Sequence, residues 1–191
     1  MRNERLHRLI KISMLGSMAF LFMYLGQIQV PGFADFLRYD PGDVPGMVAA
    51  YTMGPVAGVA VQGLKSVIFL ISGKSSAGWV GVLANFLAGS ALVVAAALVQ
   101  RGVERAGGRA KAWVLVSAVA ATIIMAAVLI PLNALLVYPL WGMTGDAAWE
   151  GALVLSTPFN LFKGIVSSVI SVALYRYLEP FLAGRLQHKA A

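Results

Sequence analysis

Two stretches of this sequence, Gly78 to Gln100 and Ala112 to Val137, contain no Asp, Glu, Lys or Arg. Each is long enough to supply the roughly 20 apolar residues that carry an α-helix across about 30 Å of hydrocarbon. Three further apolar runs, Leu9 to Ile28, Val44 to Ser72 and Ala152 to Leu178, are almost as free of charge. Across the 191 residues, 59% are hydrophobic and 12% charged, where a soluble domain carries about 45–50% and about 25%. Such a chain is not disordered, not a nucleic-acid-binding module and not an ordinary cytosolic enzyme. Its solvent is the lipid bilayer, and it reads as one all-α integral membrane domain over residues 1–191. The first apolar run has no A-x-A cleavage site after it, so it is expected to span rather than be removed.

Charge sets the topology. Val44 to Ser72 is long for one helix, and Gly54-Pro55 interrupts it. Proline removes a donor and disfavours helix at the residue before it. Basic residues gather at Arg2, Arg5, Arg8 and Lys11, at Arg101, Arg105, Arg109 and Lys111, and at Arg176, Arg185 and Lys189. Positive loops stay in the cytoplasm. All three groups reach that side only if the chain turns back at Gly54-Pro55. Six helices are therefore expected, at about 9–28, 44–53, 55–72, 78–100, 112–137 and 152–178, with both termini cytoplasmic. The second is too short to cross alone and must be shielded by its neighbours. The other loops hold Asp35, Asp40, Asp43, Asp146 and Glu150 against only Arg38 and Lys74, which fits the outside.

Polar side chains at membrane depth face a cavity or a partner. With a rise of 1.5 Å per residue, Asn85 and Lys65 lie about 10 Å, Asn133 about 6 Å, and Asn160 and Lys163 roughly 12–16 Å below the outer surface. The five converge on a pocket opening outward. Each also has a plainer role: an interhelical hydrogen bond for the Asn residues, or pairing with Asp40 or Asp43 for Lys65. Lys163 has no acid on its own helix and shares a face with Asn160, so a ligand acceptor is the expected partner. The loop Gln29 to Asp43, with Phe33, Phe36 and Tyr39, reads as a lid or as an interfacial aromatic belt. Trp79, Tyr138, Trp141 and Trp149 read as belt residues. Ser13, Gly16, Ser17 and Ala19 form a small-residue stripe suited to close helix packing, within the chain or against another membrane protein.

Several chemistries are missing. There is no GxxxxGK[ST] phosphate loop to power transport. The acids lie in loops or tails, so no buried carboxylate pair suggests ion coupling. Without Cys, and with only His7 and His188 in the polar tails, no thiolate site or His-ligated metal core is expected.

FLRYDPGDVPG, followed by YTMGPVAG and GLKS, resembles the S components of energy-coupling factor (ECF) vitamin transporters. STPFNLFKGIVSSVISVALYRYL resembles their riboflavin-specific branch, where Pro-Phe-Asn-x-x-Lys-Gly opens the last helix. The likeness covers about Lys11 to Leu182. It implies a six-helix substrate-binding subunit, not an enzyme and without a cofactor. Its partners would be a transmembrane coupling protein and two cytoplasmic ATPases. The ligand implied is riboflavin, held by the first outer loop and helices four to six. By motif Tyr39, Asn160 and Lys163 carry over, Asn133 follows in purely apolar surroundings, and Asp40 and Asn85 complete the expected ligand-binding set. Ser13, Gly16 and Ser17 would face the coupling protein, with Ser standing where the family has an Ala-xxx-Ala pair. The uracil-like edge of riboflavin suits an Asn amide, and its oxygens suit Lys. Another vitamin or precursor, such as pantothenate, folate or thiamine, is the alternative within the family. A standalone membrane enzyme or scaffold is the alternative outside it.

Overall fold

A computed structural model describes residues 2–107 and 110–187, with side chains over 4–107 and 114–177. Arg109, His188 and Lys189, and the side chains of Arg2, Lys111 and Arg185, lie outside that description. The helices are α1 (Arg2–Gly26), α2 (Asp43–Met53), α3 (Pro55–Ile71), α4 (Gly78–Arg105) and α5 (Ala110–Leu132). α5 continues through a π-helical segment, Asn133–Val137, and a last turn, Tyr138–Leu140. The sixth helix, α6, opens with the turn Asp146–Glu150 and the π-helical segment Gly151–Ser156 before its long run Thr157–Gln187. Four of the six are long and apolar enough to cross a membrane. The many large apolar side chains on their outer faces, such as Leu25, Ile123 and Val154, suit lipid contact.

α2 and α3 separate at Gly54, whose φ of +94° closes α2 and sets Pro55 as the first residue of α3. The Gly54 N–H is satisfied by Ala50 O at 2.9 Å. Arg8 donates to Met53 O at 3.3 Å, and the Arg101 guanidinium lies directly over Gly54. The N-terminal basic segment, the α2–α3 turn and the end of α4 therefore occupy one end of the bundle.

α2 has eleven residues, about 16 Å of helix. Nine consecutive ones, Asp43 to Tyr51, are buried, so no face of its first two and a half turns is left for lipid. It packs on α1, α3, α4 and α6, while α1–α3, α3–α4, α4–α5 and α5–α6 pack in succession around it. The shielding that its length demands thus covers the helix from Asp43 to Tyr51. Small residues permit the approach: a Cβ on Gly58 would lie 2.8 Å from Ala50 Cβ, and one on Gly164 2.6 Å from Thr122 Cγ2. The main core joins Met47 and Tyr51 of α2 to Leu92, Ala118, Met125 and Val172.

The outer loop is not wholly irregular. Ile28–Gln29 (β1) and Arg38–Tyr39 (β2) form an antiparallel ribbon with Ile28 opposite Tyr39. The ribbon is a local feature of a loop in a fold that is otherwise helical, as expected. The ribbon closes a flap, residues 28–39, whose rings turn inward. Phe33 stacks with Phe159 and Phe162, with centroids 5.4 and 5.6 Å apart, and Phe36 meets Trp141 at 5.2 Å. These contacts belong to a docked lid rather than an interfacial belt.

Candidate functional site

Beneath that flap lies a cavity of about 80 Å³, partly open to solvent, between the ends of α1, α3 and α4 and the π-helical parts of α5 and α6. Asn85 of α4, Asn133 at the start of the α5 π segment, and Asn160 and Lys163 of α6 all line it. Four of the five residues placed together by depth arithmetic therefore share one cavity. The fifth, Lys65, is fully buried and is not among its lining residues. Tyr39 and Asp40 are also buried and stand outside the lining.

The π-helical segments explain how an Asn comes to face the cavity next to Pro131. A proline inside a helix leaves a carbonyl without its donor, and the wider turn at Asn133–Val137 follows at once. Facing it, Gly151–Ser156 widens in the same way. Tyr138 locks the two segments together, donating to Gly151 O at 3.0 Å with Ser156 Oγ also at 3.0 Å. Tyr138 is thus a fully buried packing residue, not the interfacial one that its place near an outer loop suggests. Trp141 lines the cavity as well as holding Phe36.

Two carboxylates overturn the expectation of a site without buried acid. Asp40 and Asp43 have no exposed surface, and they partner both membrane lysines. Lys65 Nζ donates to Asp43 Oδ1 at 2.7 Å and to Asn85 Oδ1 at 3.0 Å. Lys163 Nζ lies 3.2 Å from Asp40 Oδ2 and 3.1 Å from Asp43 Oδ2. Asn85 Nδ2 donates to Asp40 Oδ2 at 2.7 Å. The reading of Lys163 as a cation whose acceptor must come from a ligand fails here. Its acids come from the loop before α2 and from the first turn of α2, far away in sequence. Two lysines and two aspartates sum to zero, and removing either sign alone would strand a buried charge. Burial alone would raise the Asp40 carboxyl. Lys163, then Lys65 and the Asn85 hydrogen bond outweigh that and hold it below the usual carboxylate range.

The amides of Asn133 and Asn160 differ from that of Asn85. Among the described residues neither has a side-chain hydrogen-bond partner, yet both line the cavity. Arg38 of β2 lines it too, and its Nε is buried without a partner among the described residues. Its place beside Tyr39 in the loop motif was the one sequence signal that could have marked it. The aromatic surfaces of Phe36, Phe69, Trp141 and Phe159 complete the walls. Unspent amides, two cationic side chains of which Lys163 is neutralised by aspartates, and flat apolar walls suit a neutral, planar ligand rich in acceptors and donors.

On α1, Ser13 and Ser17 are exposed while Gly16 is buried against Leu64 of α3. The small-residue stripe is therefore divided: Gly16 and Ala19 face the bundle, and the two serines face away.

A family model described as the substrate-specific component of ECF transporters matches residues 7–175. The riboflavin transporter FmnP of Bacillus subtilis (strain 168) is 34% identical over 186 residues, 93% of this chain and 95% of the relative. The riboflavin transporter RibU of Staphylococcus aureus (strain TCH60) is 34% identical over 181 residues, 92% of each chain. A solved structure described as the S component of a bacterial ECF transporter superimposes with a TM-score of 0.76 at 34% identity, over 95% of this chain and 99% of that one.

Proposed function

Because the chain belongs to the family of ECF transporter substrate-specific components, we propose that it is the riboflavin-binding subunit of such an importer. It is a membrane transport protein and not an enzyme. The observation that carries the ligand assignment is the pair Asn133 and Asn160. Their free amides face one cavity from α5 and α6. An amide both donates and accepts, which matches the alternating carbonyl and N–H edge of the isoalloxazine ring. The rings of Trp141 and Phe159 are available to cover the ring faces, and Lys163 and Arg38 to bind oxygens of the ligand. Full relatives that carry riboflavin transport in their names support the same assignment.

The chain has no nucleotide-binding motif, so uphill transport requires a coupling protein and two ATPases. Ser13 and Ser17, small and exposed on α1, are assigned to the coupling protein's side, with Gly16 behind them against Leu64. We assign both termini to the cytoplasm, on the side of Arg8 and Arg101.

Titration of riboflavin fluorescence against the purified protein tests the ligand. Asn133→Ala and Asn160→Ala each remove a hydrogen-bonding partner from a desolvated edge. Such a loss costs roughly 1–3 kcal/mol, about 5- to 150-fold in affinity. Unchanged quenching in both folded variants would move the ligand out of this cavity.

A further inference from the structure

The carboxylates of Asp40 and Asp43 do not line the cavity, yet they hold two residues that do. Asp40 Oδ2 receives Asn85 Nδ2 at 2.7 Å and Lys163 Nζ at 3.2 Å, and Asp40 Oδ1 accepts from Gly42 N at 3.0 Å. Asp43 Oδ2 takes Lys163 from a second direction at 3.1 Å, while Lys65 occupies Asp43 Oδ1 at 2.7 Å. An ammonium group has three donors. One of those on Lys163 is donated to Asp40 Oδ2, while Asp43 Oδ2 is held only as an ion pair, so the ammonium keeps donor capacity for the cavity. Asn85 has its oxygen bound to Lys65 and one N–H bound to Asp40, so its amide orientation is fixed from behind.

We propose that Asp40 is a positioning residue for ligand binding: it aims the Lys163 ammonium into the cavity while fastening the end of the lid to α4 and α6. The proposal rests on the cavity being the riboflavin site. Asp40 directly follows β2, the second strand of the lid ribbon. One carboxylate oxygen thus ties the covering segment to a cavity-lining residue on each of two helices. Release of the lid withdraws the carboxylate that orients Lys163, and loss of Lys163 frees the lid. Because the four charges are already balanced, the ammonium is held in place without any ligand anion, and a neutral ligand meets only the donor capacity left on it. Close packing keeps this geometry tight. A Cβ on Gly42 would sit 2.7 Å from both Ala19 O and Asp40 Oδ1, and one on Gly89 2.8 Å from Asp43 Oδ1.

The test is a double-mutant cycle read by riboflavin fluorescence, with Asp40→Asn, Lys163→Met and the two combined. The combined variant removes one charge of each sign and keeps the network neutral, so it is the least burdened by stranded charge. Asp40→Asn is expected to weaken riboflavin binding about tenfold, mostly through faster dissociation. The double variant is expected to bind within about twofold of Lys163→Met alone. Losses that multiply would show Asp40 acting independently of Lys163 and would overturn the proposal. So would wild-type affinity in folded Asp40→Asn with only a lowered melting temperature. Should Asp40→Asn fail to fold, Asp40→Glu keeps the charge but displaces the oxygens; wild-type affinity there would likewise refute positioning. The same cycle read without flavin, as amide exchange over residues 28–42, separates the two ideas. Failure of the wild type to bind riboflavin removes the ligand assignment. Exchange rates that rise independently in the two single variants remove the coupling between Asp40 and Lys163.

Discussion

The guanidinium of Arg101, at the end of α4, lies over the α-carbon of Gly54, the residue that parts α2 from α3. Gly54 also holds φ +94° and ψ 172°, a conformation essentially closed to residues with a Cβ. Gly54→Ala is expected to cost about 1–3 kcal/mol from the backbone alone, with displacement of Arg101 in addition. Thermal unfolding in detergent should show it, and the parallel variant Gly102→Ala, where a Cβ meets nothing within 4 Å, should be close to wild type.

The same contact fixes which loops share a side. The chain has no cysteine, so single introduced thiols report cleanly. Cysteine at Gly107 should react with an impermeant reagent only from the cytoplasm, and cysteine at Ala34 or Asp146 only from outside. External labelling at Gly107 would contradict the six-helix arrangement proposed here.

Ser13 and Ser17 are exposed on α1, with Gly16 turned inward. Ser13→Leu or Ser17→Leu should block close approach of a second membrane protein and abolish riboflavin uptake in cells. Binding to the isolated subunit should persist. Loss of binding along with uptake would place these serines in internal packing.

Phe33 meets two rings of α6, Phe159 and Phe162. Phe33→Ala should loosen the lid and raise the riboflavin dissociation rate by more than it changes the association rate. Ring pairs of this kind contribute roughly 0.5–1.5 kcal/mol each beyond their buried area, so an increase of about 5- to 150-fold is expected in stopped-flow release.

Where the physics is local, the sequence is readable. Gly54-Pro55 announces its turn because glycine supplies the positive φ and proline opens the next helix. The shared depth of Asn85, Asn133, Asn160 and Lys163 follows from helical rise alone. Lys65 finding Asp43 is likewise visible, since the two flank a helical hairpin. The acids of Lys163 are not, because Asp40 stands 123 positions away, and counting along one helix says nothing about a loop that folds in beside it. Tyr138 is misread for a related reason. Its height in the bilayer is calculable, but the π-helical turns that swing its hydroxyl onto Gly151 and Ser156 depend on how two helix ends meet.

The enclosure of α2 from Asp43 to Tyr51 has a consequence for biogenesis. A segment of eleven residues beginning with Asp43 offers an inserting membrane neither the length nor the uniform greasiness of an independent span. Its surroundings come from α1 before it and from α3, α4 and α6 after it, and α6 is made last. Until α6 arrives, Asp43 lacks Lys163, and one wall around α2 is open. The helix at the centre of the bundle therefore gains its last wall only once α6 has been made, and truncation before Lys163 should leave α2 exposed to membrane proteases that the full bundle resists.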